Sequence, residues 1–382
     1  MDFSLSEEQR ILRDQVIRFA RTELNADVST RDQEHTFSRE LWEECGKFGF
    51  QGLCVSAEYG GSGLDALDTA IALEALGYGC EDNGLVFSVC AHLLSCVVPI
   101  WKYGSEAQRE RYLPGLCSGQ LIAVNGMTEP DSGSDAFAML TRAVRDGDGF
   151  RINGRKTFGT NAAVADVALV FAVTDPTKGY HGGITAFLVE RDTHGLNTTA
   201  PIEKMGLRTS PMADLILEDV FVSADAVVGG VGGGASLFSH SMDWERSCLF
   251  ASHVGSLERL LEAAIEYART RVQFGQAIGK FQAVSHSIAD MKVSLEAARL
   301  LAYKAAWSLD HSRSASLDAA IAKLFVSESL ITTALQTLQI HGGYGYMSEY
   351  GIERCVRDAI GSTIYSGTSE LQRNIIARWL GL

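Results

Sequence analysis

The chain has 382 residues, of which 46% are hydrophobic and 21% are charged, and it contains only six prolines. This composition excludes disordered, fibrous and Pro-rich linker proteins and leaves room for two or three folded domains. The 33 Lys and Arg residues against 47 Asp and Glu residues give a net charge of −14. Because an acidic surface repels phosphate groups, we expect no sequence-independent binding of nucleic acid.

Residues 1–121 are predicted to form an N-terminal all-α domain. Apolar residues recur at helical spacing, first between Ile11 and Ala20. Gly46, Gly49 and the glycine-rich turn at 59–63 are predicted to end helices. The acidic start of the chain is typical of a helix and not of a signal peptide or an Arg-rich transit peptide.

The stretch 84–101 carries no formal charge and is long enough to span a bilayer. It contains a histidine, two serines and a proline near its end, and nothing resembling a second span follows it. A segment of this kind is also typical of the central helix of a large core. We therefore expect a buried helix and no membrane span.

Residues 122–232 are predicted to form a central β domain. Short runs rich in β-branched residues alternate with turn signals, and 167–173 and 184–189 are predicted to be strands. The segment 150–154 is predicted to end in an Asn-Gly turn. Because no long helices separate the strands, we expect an antiparallel barrel or sandwich and not βαβ units.

Residues 233–382 are predicted to form a C-terminal helical bundle domain. Apolar stripes at helical spacing recur within 257–265, 288–301 and 319–329. We interpret these stripes as core-facing, and a bundle of long antiparallel helices is the simplest way to bury them. The three sections together predict an α+β fold.

The eight cysteines form no Cys-x-x-Cys pair, and no histidine stands at zinc-finger spacing from them. We therefore expect no metal site. Most cysteines have apolar neighbours, as Cys54 has in Leu53 and Val55. This pattern indicates buried, reduced thiols and hence a cytoplasmic protein.

Three polar or glycine-rich segments are candidates for a binding site. The segment 128–135 follows the first helical section, and its hydroxyls suit either a surface turn or contact with a polar ring or phosphate. The segment 339–346 follows a helix, so its glycines either cap that helix or let the backbone approach a cofactor. In the segment 364–373, Thr368 or Ser369 can cap the last helix, whose start also attracts anions.

These segments resemble, in order and spacing, the motifs of the acyl-CoA dehydrogenase family, and the resemblance covers essentially the whole chain. Shorter matching motifs stand between them, at 58–61, 103–106, 153–156, 204–208, 218–220 and 271–275. A single one of these motifs is weak, but the full series is specific. The family fold is an N-terminal α domain, a central β domain and a C-terminal four-helix bundle, in agreement with the periodicity.

The resemblance implies a noncovalently bound FAD and a homotetramer or homodimer in which one subunit helps to bind its neighbour's FAD. The residues implied at the flavin ring are Met127, Thr128 (near N5), Phe158 and Thr160. Those implied near the flavin diphosphate and the thioester are Gly133 and Ser134. Those implied across the subunit contact are Arg271, Phe274, Gln282, Gln339, Gly342 and Gly343. Those implied at the adenosine are Thr368 and Glu370.

In reactions of this family a base removes the α proton of an acyl thioester while the β hydrogen leaves as a hydride to flavin N5. The base is usually a glutamate directly before the Gly-Thr pair, but this chain has Ser366 before Gly367. The Ser366 N–H can still polarise the thioester carbonyl. Its hydroxyl, however, is no base for a carbon acid without activation.

A minority of the family carries the base on an earlier helix, in an Asp-x-Glu-Arg setting. This chain has Asp243, Glu245 and Arg246 at that place, so the resemblance implies Glu245 as the base. Asp243 and Arg246 would then bind the carrier or form the pocket wall. The alternative is that Glu245 is a solvated carboxylate paired with a nearby arginine.

We therefore expect an FAD-dependent dehydrogenase that forms an α,β double bond in an acyl thioester and passes electrons to an electron-transfer flavoprotein. The acyl group is expected on CoA or on an acyl carrier protein, since both end in the same phosphopantetheine arm. Two alternatives stay open. One is a flavin oxidase or monooxygenase on the same fold, and the other is a thioester-binding protein without catalytic activity.

Overall fold

The structure, a computed structural model, describes residues 4–312 and 314–382. Helices come first, a β-sheet follows, and helices return to the end. The first section holds the helices α1 (Glu7–Glu23), α2 (Val28–Gln33), α3 (Arg39–Phe48), α4 (Ala66–Gly79), α5 (Asn83–His92), α6 (Val98–Tyr103) and α7 (Glu106–Cys117). The α1 and α7 starts are fixed by serine capping boxes, Ser6 with Gln9 and Ser105 with Gln108.

Gly46 does not end a helix, so this prediction is wrong, whereas Gly49 does end α3. Gly49 has a left-handed φ of 101° and donates its N–H back to Cys45 and Gly46. Gly46 lies inside α3, at the place where this helix packs against the chain that follows α7. A Cβ added at Gly46 would lie 2.2 Å from the Ser118 carbonyl oxygen. The glycine serves a close backbone approach and not a helix stop.

The helices α5 and α6 are joined by a π-helical segment, Leu93–Val97, into one continuous helix through the middle of the molecule. Among the described residues this helix, Asn83–Tyr103, is the one long and apolar enough to cross a membrane, but 89% of its most apolar window is buried inside the protein. His92 ties it to its surroundings, since its ring nitrogens contact the Leu116 carbonyl and the Ala123 N–H at 3.0 Å each. The prediction of a buried helix is confirmed.

The central section is one eight-stranded sheet. Its strands are β1 (Ala123–Gly126), β2 (Arg142–Asp146), β3 (Gly149–Thr160), β4 (Val167–Val173), β5 (Ile184–Glu190), β6 (Leu196–Thr198), β7 (Met212–Ser223) and β8 (Val227–Val228). Their order is β6-β7-β3-β2-β4-β5-β8, with β1 beside β4. The pairings are antiparallel except for β1–β4 and β2–β4, which are parallel.

The Asn153-Gly154 pair does not form a turn, so this prediction is also wrong. The strand β3 runs through it, and its register against β7 shifts between Ile152 and Gly154 as in a β-bulge. Gly154 has a φ of 156°, and an added Cβ would lie 2.3 Å from the Thr141 hydroxyl. The glycine of this Asn-Gly pair therefore lets β3 pass close to Thr141.

The last section contains α8 (Gly234–Trp244), α9 (Phe250–Thr270), the hairpin strands β9 (Val272–Gln273) and β10 (Gln276–Ala277), α10 (Gln282–His311), α11 (Ser316–His341), α12 (Gly343–Tyr346), α13 (Ile352–Gly361) and α14 (Ser369–Trp379). A second π-helical segment, Glu245–Leu249, joins α8 to α9. The long helices α9, α10 and α11 pack on one another, and α9 also packs on α4 of the first section. The main hydrophobic core therefore draws residues from all three sections.

Candidate active site

Glu245 is the first residue of the π-helical segment between α8 and α9, deep in the molecule. Its side chain is buried, and one carboxylate oxygen accepts a hydrogen bond from the Ser366 hydroxyl. Burial raises the pKa of the Glu245 carboxyl, while the Ser366 hydrogen bond and the Arg246 charge oppose that rise. The alternative, a solvated carboxylate at this position, does not match the buried side chain.

Ser366 lies in the loop between α13 and α14, and this loop is held by side chains. Its carbonyl oxygen accepts from Arg246 Nε at 2.9 Å and from Gln372 Nε2 at 3.2 Å. Gln372 Nε2 also donates to the Gly367 carbonyl at 2.9 Å. Ser366 and Gly367 both have left-handed backbone angles, with φ of 56° and 89°. The loop is thus fixed on the helix that carries the carboxylate.

The helix after this loop begins as the sequence predicts. Thr368 is the N-cap residue of α14, and its hydroxyl accepts from the Leu371 N–H at 3.2 Å. Ser369, the other candidate cap, is buried, and within the part of the chain that the structure describes its hydroxyl has no hydrogen-bond partner. Glu370 is exposed in the first turn of α14.

Asp243 and Arg246 flank the carboxylate on the same helix. An Asp243 carboxylate oxygen accepts from the Ser316 hydroxyl at 2.7 Å, and burial raises the pKa of Asp243. Arg246 is buried as well, with its guanidinium beside the Ser366 carbonyl. The structure thus brings together four predicted site residues, Glu245, Arg246, Ser366 and Gly367. Asp243 stands two residues before Glu245, near the end of α8.

The helix facing Glu245 contributes two thiols. Burial raises the pKa values of Cys90 and Cys96 to about 12, and the Glu245 charge adds to both rises. All eight cysteines are free, and seven of them are buried. These thiols are therefore neutral at physiological pH and are not nucleophiles.

The segment after β1 folds into a small closed loop. The backbones of Glu129 and Ser132 exchange two hydrogen bonds at 3.2 and 3.1 Å, and the Ser132 hydroxyl donates to the Asp135 carbonyl at 2.7 Å. Gly133 and Ser134, the predicted diphosphate residues, are exposed at the tip of this loop. Met127, at its start, is buried.

A buried ion pair beneath this loop has no counterpart in the sequence predictions. Lys156 of β3 donates to a Glu129 carboxylate oxygen at 2.8 Å, and both side chains are at most 5% exposed. The same carboxylate accepts from the Leu140 and Thr141 N–H groups at 2.6 and 2.9 Å. Burial lowers the pKa of Lys156 to about 8, although Glu129 opposes the change. Both residues stand inside motifs of the sequence, but only the fold shows that they meet.

Thr128 and Phe158 are brought side by side because β3 binds the loop. The Thr157 N–H donates to the Thr128 carbonyl at 2.8 Å, and the Thr157 hydroxyl donates to Asp214 at 2.7 Å. Phe158, next along the chain, has a φ of 56°, and 60% of its side chain is exposed. Thr160 ends the same strand. The structure therefore places Thr128 beside the strand that carries Phe158 and Thr160.

The residues predicted to lie across a subunit contact form a third group. Phe274 projects from the β9–β10 hairpin and is 93% exposed, and Gln282 is exposed at the start of α10. The Arg271 guanidinium lies 5.4 Å from the ring centre of Tyr344. Arg271, directly before the hairpin, thus reaches Tyr344, which follows the segment 339–343. In that segment α11 ends at His341 and Gly342 takes a φ of 60°.

Gln339, Gly342 and Gly343 are exposed there, and the Gly342 N–H donates to the Leu338 carbonyl at 3.0 Å. The predicted helix cap is therefore confirmed. Among residues 4–312 and 314–382, no hydrogen bond or ion pair links this group to the Glu245 group or to the Thr128 group. The same residues contain no group of three His, Cys, Asp or Glu side chains that could hold a metal ion.

Comparison with family models covers nearly all of the chain. Residues 6–120 match the N-terminal domain of acyl-CoA dehydrogenases, residues 125–220 the middle domain, and residues 232–381 the C-terminal domain. These matches follow the same order as the helical, β and helical sections of the structure.

Individual relatives match over full length. The chain is 44% identical to the L-prolyl-[peptidyl-carrier protein] dehydrogenase of Serratia sp. (strain ATCC 39006), over 100% of this chain and 99% of the relative. The crystal structure of the prolyl acyl carrier protein oxidase AnaB is 46% identical, covers 99% of this chain and 100% of its own, and has a TM-score of 0.97. The structure of PigA with FAD and proline is 44% identical, covers 100% of both chains, and has a TM-score of 0.98.

Proposed function

The chain belongs to the acyl-CoA dehydrogenase family, and on this basis we propose how it works: it is an FAD-dependent enzyme that forms an α,β double bond in an acyl thioester, with Glu245 as the base. The observation that carries the proposal is the buried Glu245 carboxylate bound to Ser366, the residue directly before the Gly-Thr pair. No carboxylate stands at position 366 itself.

The residues present fit an FAD. At Gly133, Gly342 and Gly343 an added Cβ would meet nothing within 4 Å, so these three backbone segments are open to a large ligand. The exposed Phe158 ring beside the Thr128 loop offers a flat apolar face for an isoalloxazine ring. We propose Met127, Thr128, Phe158 and Thr160 as the ring contacts, and Gly133 and Ser134 as the diphosphate contacts. When bound, FAD supplies the hydride acceptor.

The protein's own part in the reaction is to move one proton and to polarise one carbonyl. Glu245 takes the α proton, and a buried carboxylate whose charged form the Ser366 hydroxyl stabilises is suited to this task. The Ser366 N–H donates to no protein acceptor within the described residues. We propose that it donates to the thioester carbonyl and stabilises the charge that develops there.

We propose a carrier-tethered L-prolyl group as the substrate. Two relatives that cover the whole chain are named for prolyl groups on a carrier protein, and a third is described with FAD and proline. A prolyl thioester has the required α proton and β hydrogens. Asp243, Arg246, Ser134 and Gly367 are proposed to contact the thioester and its phosphopantetheine arm.

The proposal further includes a cytoplasmic location and a homotetramer or homodimer with cross-subunit FAD contacts. The free, largely buried cysteines support the first point. The 93% exposed Phe274 supports the second, because a phenyl ring gains free energy when a partner surface covers it. In such an assembly the neighbour's FAD would be contacted by Arg271, Phe274, Gln282, Gln339, Gly342 and Gly343. The adenosine part of the FAD would be contacted by Thr368 and Glu370.

An anaerobic flavin-bleaching experiment tests the function. The FAD-loaded enzyme is mixed with an L-prolyl group on a peptidyl carrier protein, with L-prolyl-CoA and with butyryl-CoA, and the flavin absorbance is followed. We expect rapid bleaching by the carrier-bound prolyl group, and a loss of about 10³-fold or more in the rate for Glu245→Gln. Glu266→Gln, an exposed glutamate of the same helical run, is the control and should bleach normally.

Each contrary result has a meaning. If Glu245→Gln bleaches as fast as the wild type, the base lies elsewhere. If no thioester bleaches the wild type, the proposal fails, and the alternative of a thioester-binding protein without catalytic activity is favoured.

A second candidate function concerns the electron acceptor. The name of AnaB describes it as an oxidase, whereas the Serratia relative is named a dehydrogenase. An electron-transfer flavoprotein is our proposed acceptor, and molecular oxygen is the alternative. Reoxidation of the bleached flavin is measured with air alone and with electron-transfer flavoprotein under anaerobic conditions. Rapid reoxidation in air alone assigns an oxidase.

A further inference from the structure

The serine that replaces the usual glutamate is in direct contact with the carboxylate that takes over its task. The Ser366 hydroxyl donates to a Glu245 carboxylate oxygen, although the two residues are 121 positions apart in the chain. Both side chains are 9% exposed. A hydroxyl that donates to a carboxylate stabilises its charged form and restricts its rotation.

The loop that holds Ser366 is fixed from two sides, so the hydroxyl has a defined place. Arg246 Nε and Gln372 Nε2 both bind the Ser366 carbonyl, at 2.9 and 3.2 Å. Arg246 is next to Glu245 in the chain, so the same helical turn supplies the carboxylate and the clamp on its partner. The position of the hydroxyl relative to the carboxylate therefore does not depend on a mobile loop.

The backbone at this position favours a residue without a Cβ. Ser366 has a φ of 56°, in the left-handed region where glycine is least strained. The backbone angle therefore gives no reason for a serine at this position. Its hydroxyl is the part that makes a specific contact, the one with Glu245.

We propose that Ser366 is a positioning residue whose hydroxyl keeps the Glu245 carboxylate ionised and aimed at the substrate α carbon. The inference rests on the proposed function, in which Glu245 is the base. In the reaction the α C–H bond breaks, its proton joins a Glu245 carboxylate oxygen, and its electron pair forms the new double bond as the β hydride leaves to FAD. The Ser366 hydroxyl keeps its own proton throughout.

Several other charged or titratable groups face this part of the molecule. They are Asp243 and Arg246 on the same helical run, Cys90 and Cys96 on the facing helix, Tyr365 beside Ser366, Lys102 near Trp244, Lys323 near Arg246 and Asp310 near Cys248. Burial also raises the pKa of Asp243, two residues from Glu245, so Asp243 needs its own variant in the test.

The test compares the pH dependence of anaerobic flavin reduction in FAD-loaded Ser366→Gly and wild-type enzyme, with whichever thioester bleaches the wild type. Glycine removes the hydroxyl without straining the backbone. Because the lost hydrogen bond stabilised the carboxylate, we expect the acid limb of the rate profile to move up by about one pH unit. Ser366→Ala removes the same hydroxyl but keeps the Cβ and its backbone strain, so it should show the same limb shift as Ser366→Gly.

The outcomes separate the inference from the function. If Ser366→Gly has normal FAD content and the same acid limb as the wild type, the inference is overturned. The proposed function is then still supported if Glu245→Gln is inactive. If the acid limb moves in Asp243→Asn but is unchanged in Ser366→Gly, the titrating group is Asp243, and the inference about Ser366 is also overturned. A limb shift in only one of Ser366→Gly and Ser366→Ala shows that loss of the hydroxyl is not its cause, with the same consequence. Failure of every thioester to bleach the wild type removes the function first.

Discussion

Lys156 and Glu129 form the ion pair beneath the Thr128 loop, and both charges are almost fully buried. Removing one partner of a buried pair leaves the other charge without compensation, which typically costs about 3–5 kcal/mol. We expect Lys156→Met to lower the free energy of unfolding by about that amount and to reduce FAD retention, because the loop loses its support. Urea unfolding and the FAD content after gel filtration measure the two effects.

The control is Lys292→Met, which breaks an exposed pair with Glu296, where Lys292 is 58% and Glu296 49% exposed. An exposed pair contributes less than about 1 kcal/mol, so this variant should keep its stability and its FAD. Equal losses in the two variants would contradict a special role for the buried pair.

Asp358 of α13 makes the stability depend on pH. Its carboxylate oxygens accept from the Leu207 N–H at 2.6 Å and from Asn83 Nδ2 at 2.9 Å, but burial still raises the pKa of Asp358 from 3.8 to about 6. The folded state thus holds its proton more tightly than the unfolded state. The corresponding stability is present below about pH 4 and is lost as the pH rises through about 6, by at most about 3 kcal/mol.

Urea unfolding at several pH values between about 4 and 7 measures this dependence. We expect the wild type to lose stability with rising pH relative to Asp358→Asn, which cannot titrate. Asp290→Asn, at an exposed position of α10, is the control and should follow the wild type. Parallel curves for the wild type and Asp358→Asn would show that this carboxyl does not titrate in that range.

At the scale of the elements, the β9–β10 hairpin is the clearest candidate for an intersubunit contact. Its turn is two residues long, Phe274 and Gly275, with φ of 50° and 80°, and the Phe274 ring stands out at 93% exposure. We expect Phe274→Ala to sediment as a smaller species than the wild type at equal concentration, with weaker FAD retention. Ile11→Ala, at a 51% exposed apolar position of α1, should change neither.

Unchanged sedimentation and FAD content in Phe274→Ala would remove the hairpin from the subunit contact. Sedimentation velocity and the FAD content of the eluted species supply both readouts.

The sequence predicted the elements whose pattern is local and missed what depends on distant partners. The buried strand β4, the long helices and the Thr368 cap are visible in hydrophobic spacing and in capping chemistry. Gly46 and Gly154 were misread because their function is a contact with Ser118 and Thr141, which no local pattern reveals. The resemblance supplied Glu245 and Ser366, but the hydrogen bond between them required the fold.

At the scale of the whole molecule, the two helical sections and one side of the sheet share a core, while the sheet also has a smaller core of its own. The main cluster of buried residues runs from Val16 in α1 through β4 to Ala359 in α13, and α4 packs on α9 across the section boundary. A shared core couples the sections, so we expect one cooperative thermal transition for the FAD-loaded protein.

Differential scanning calorimetry checks this expectation by comparing the calorimetric with the van't Hoff enthalpy. Two resolved transitions would show that the helical and β sections unfold independently. In that case the predicted limits at 121 and 232 would be boundaries of stability as well as of secondary structure.

The π-helical segment Glu245–Leu249 sets the rotational phase between α8 and α9. Such a wide turn holds one more residue than an ordinary α-helical turn, and one residue corresponds to about 100° around the axis. The side chains of α8 are therefore rotated around the helix axis relative to the apolar stripe of α9. Loss of a single residue within 246–249 would swing the carboxylate to another side of the helix, away from position 366. The extra residue thus sets the direction in which Glu245 points from the helix. The location of the base depends on the number of residues in this segment as much as on their type.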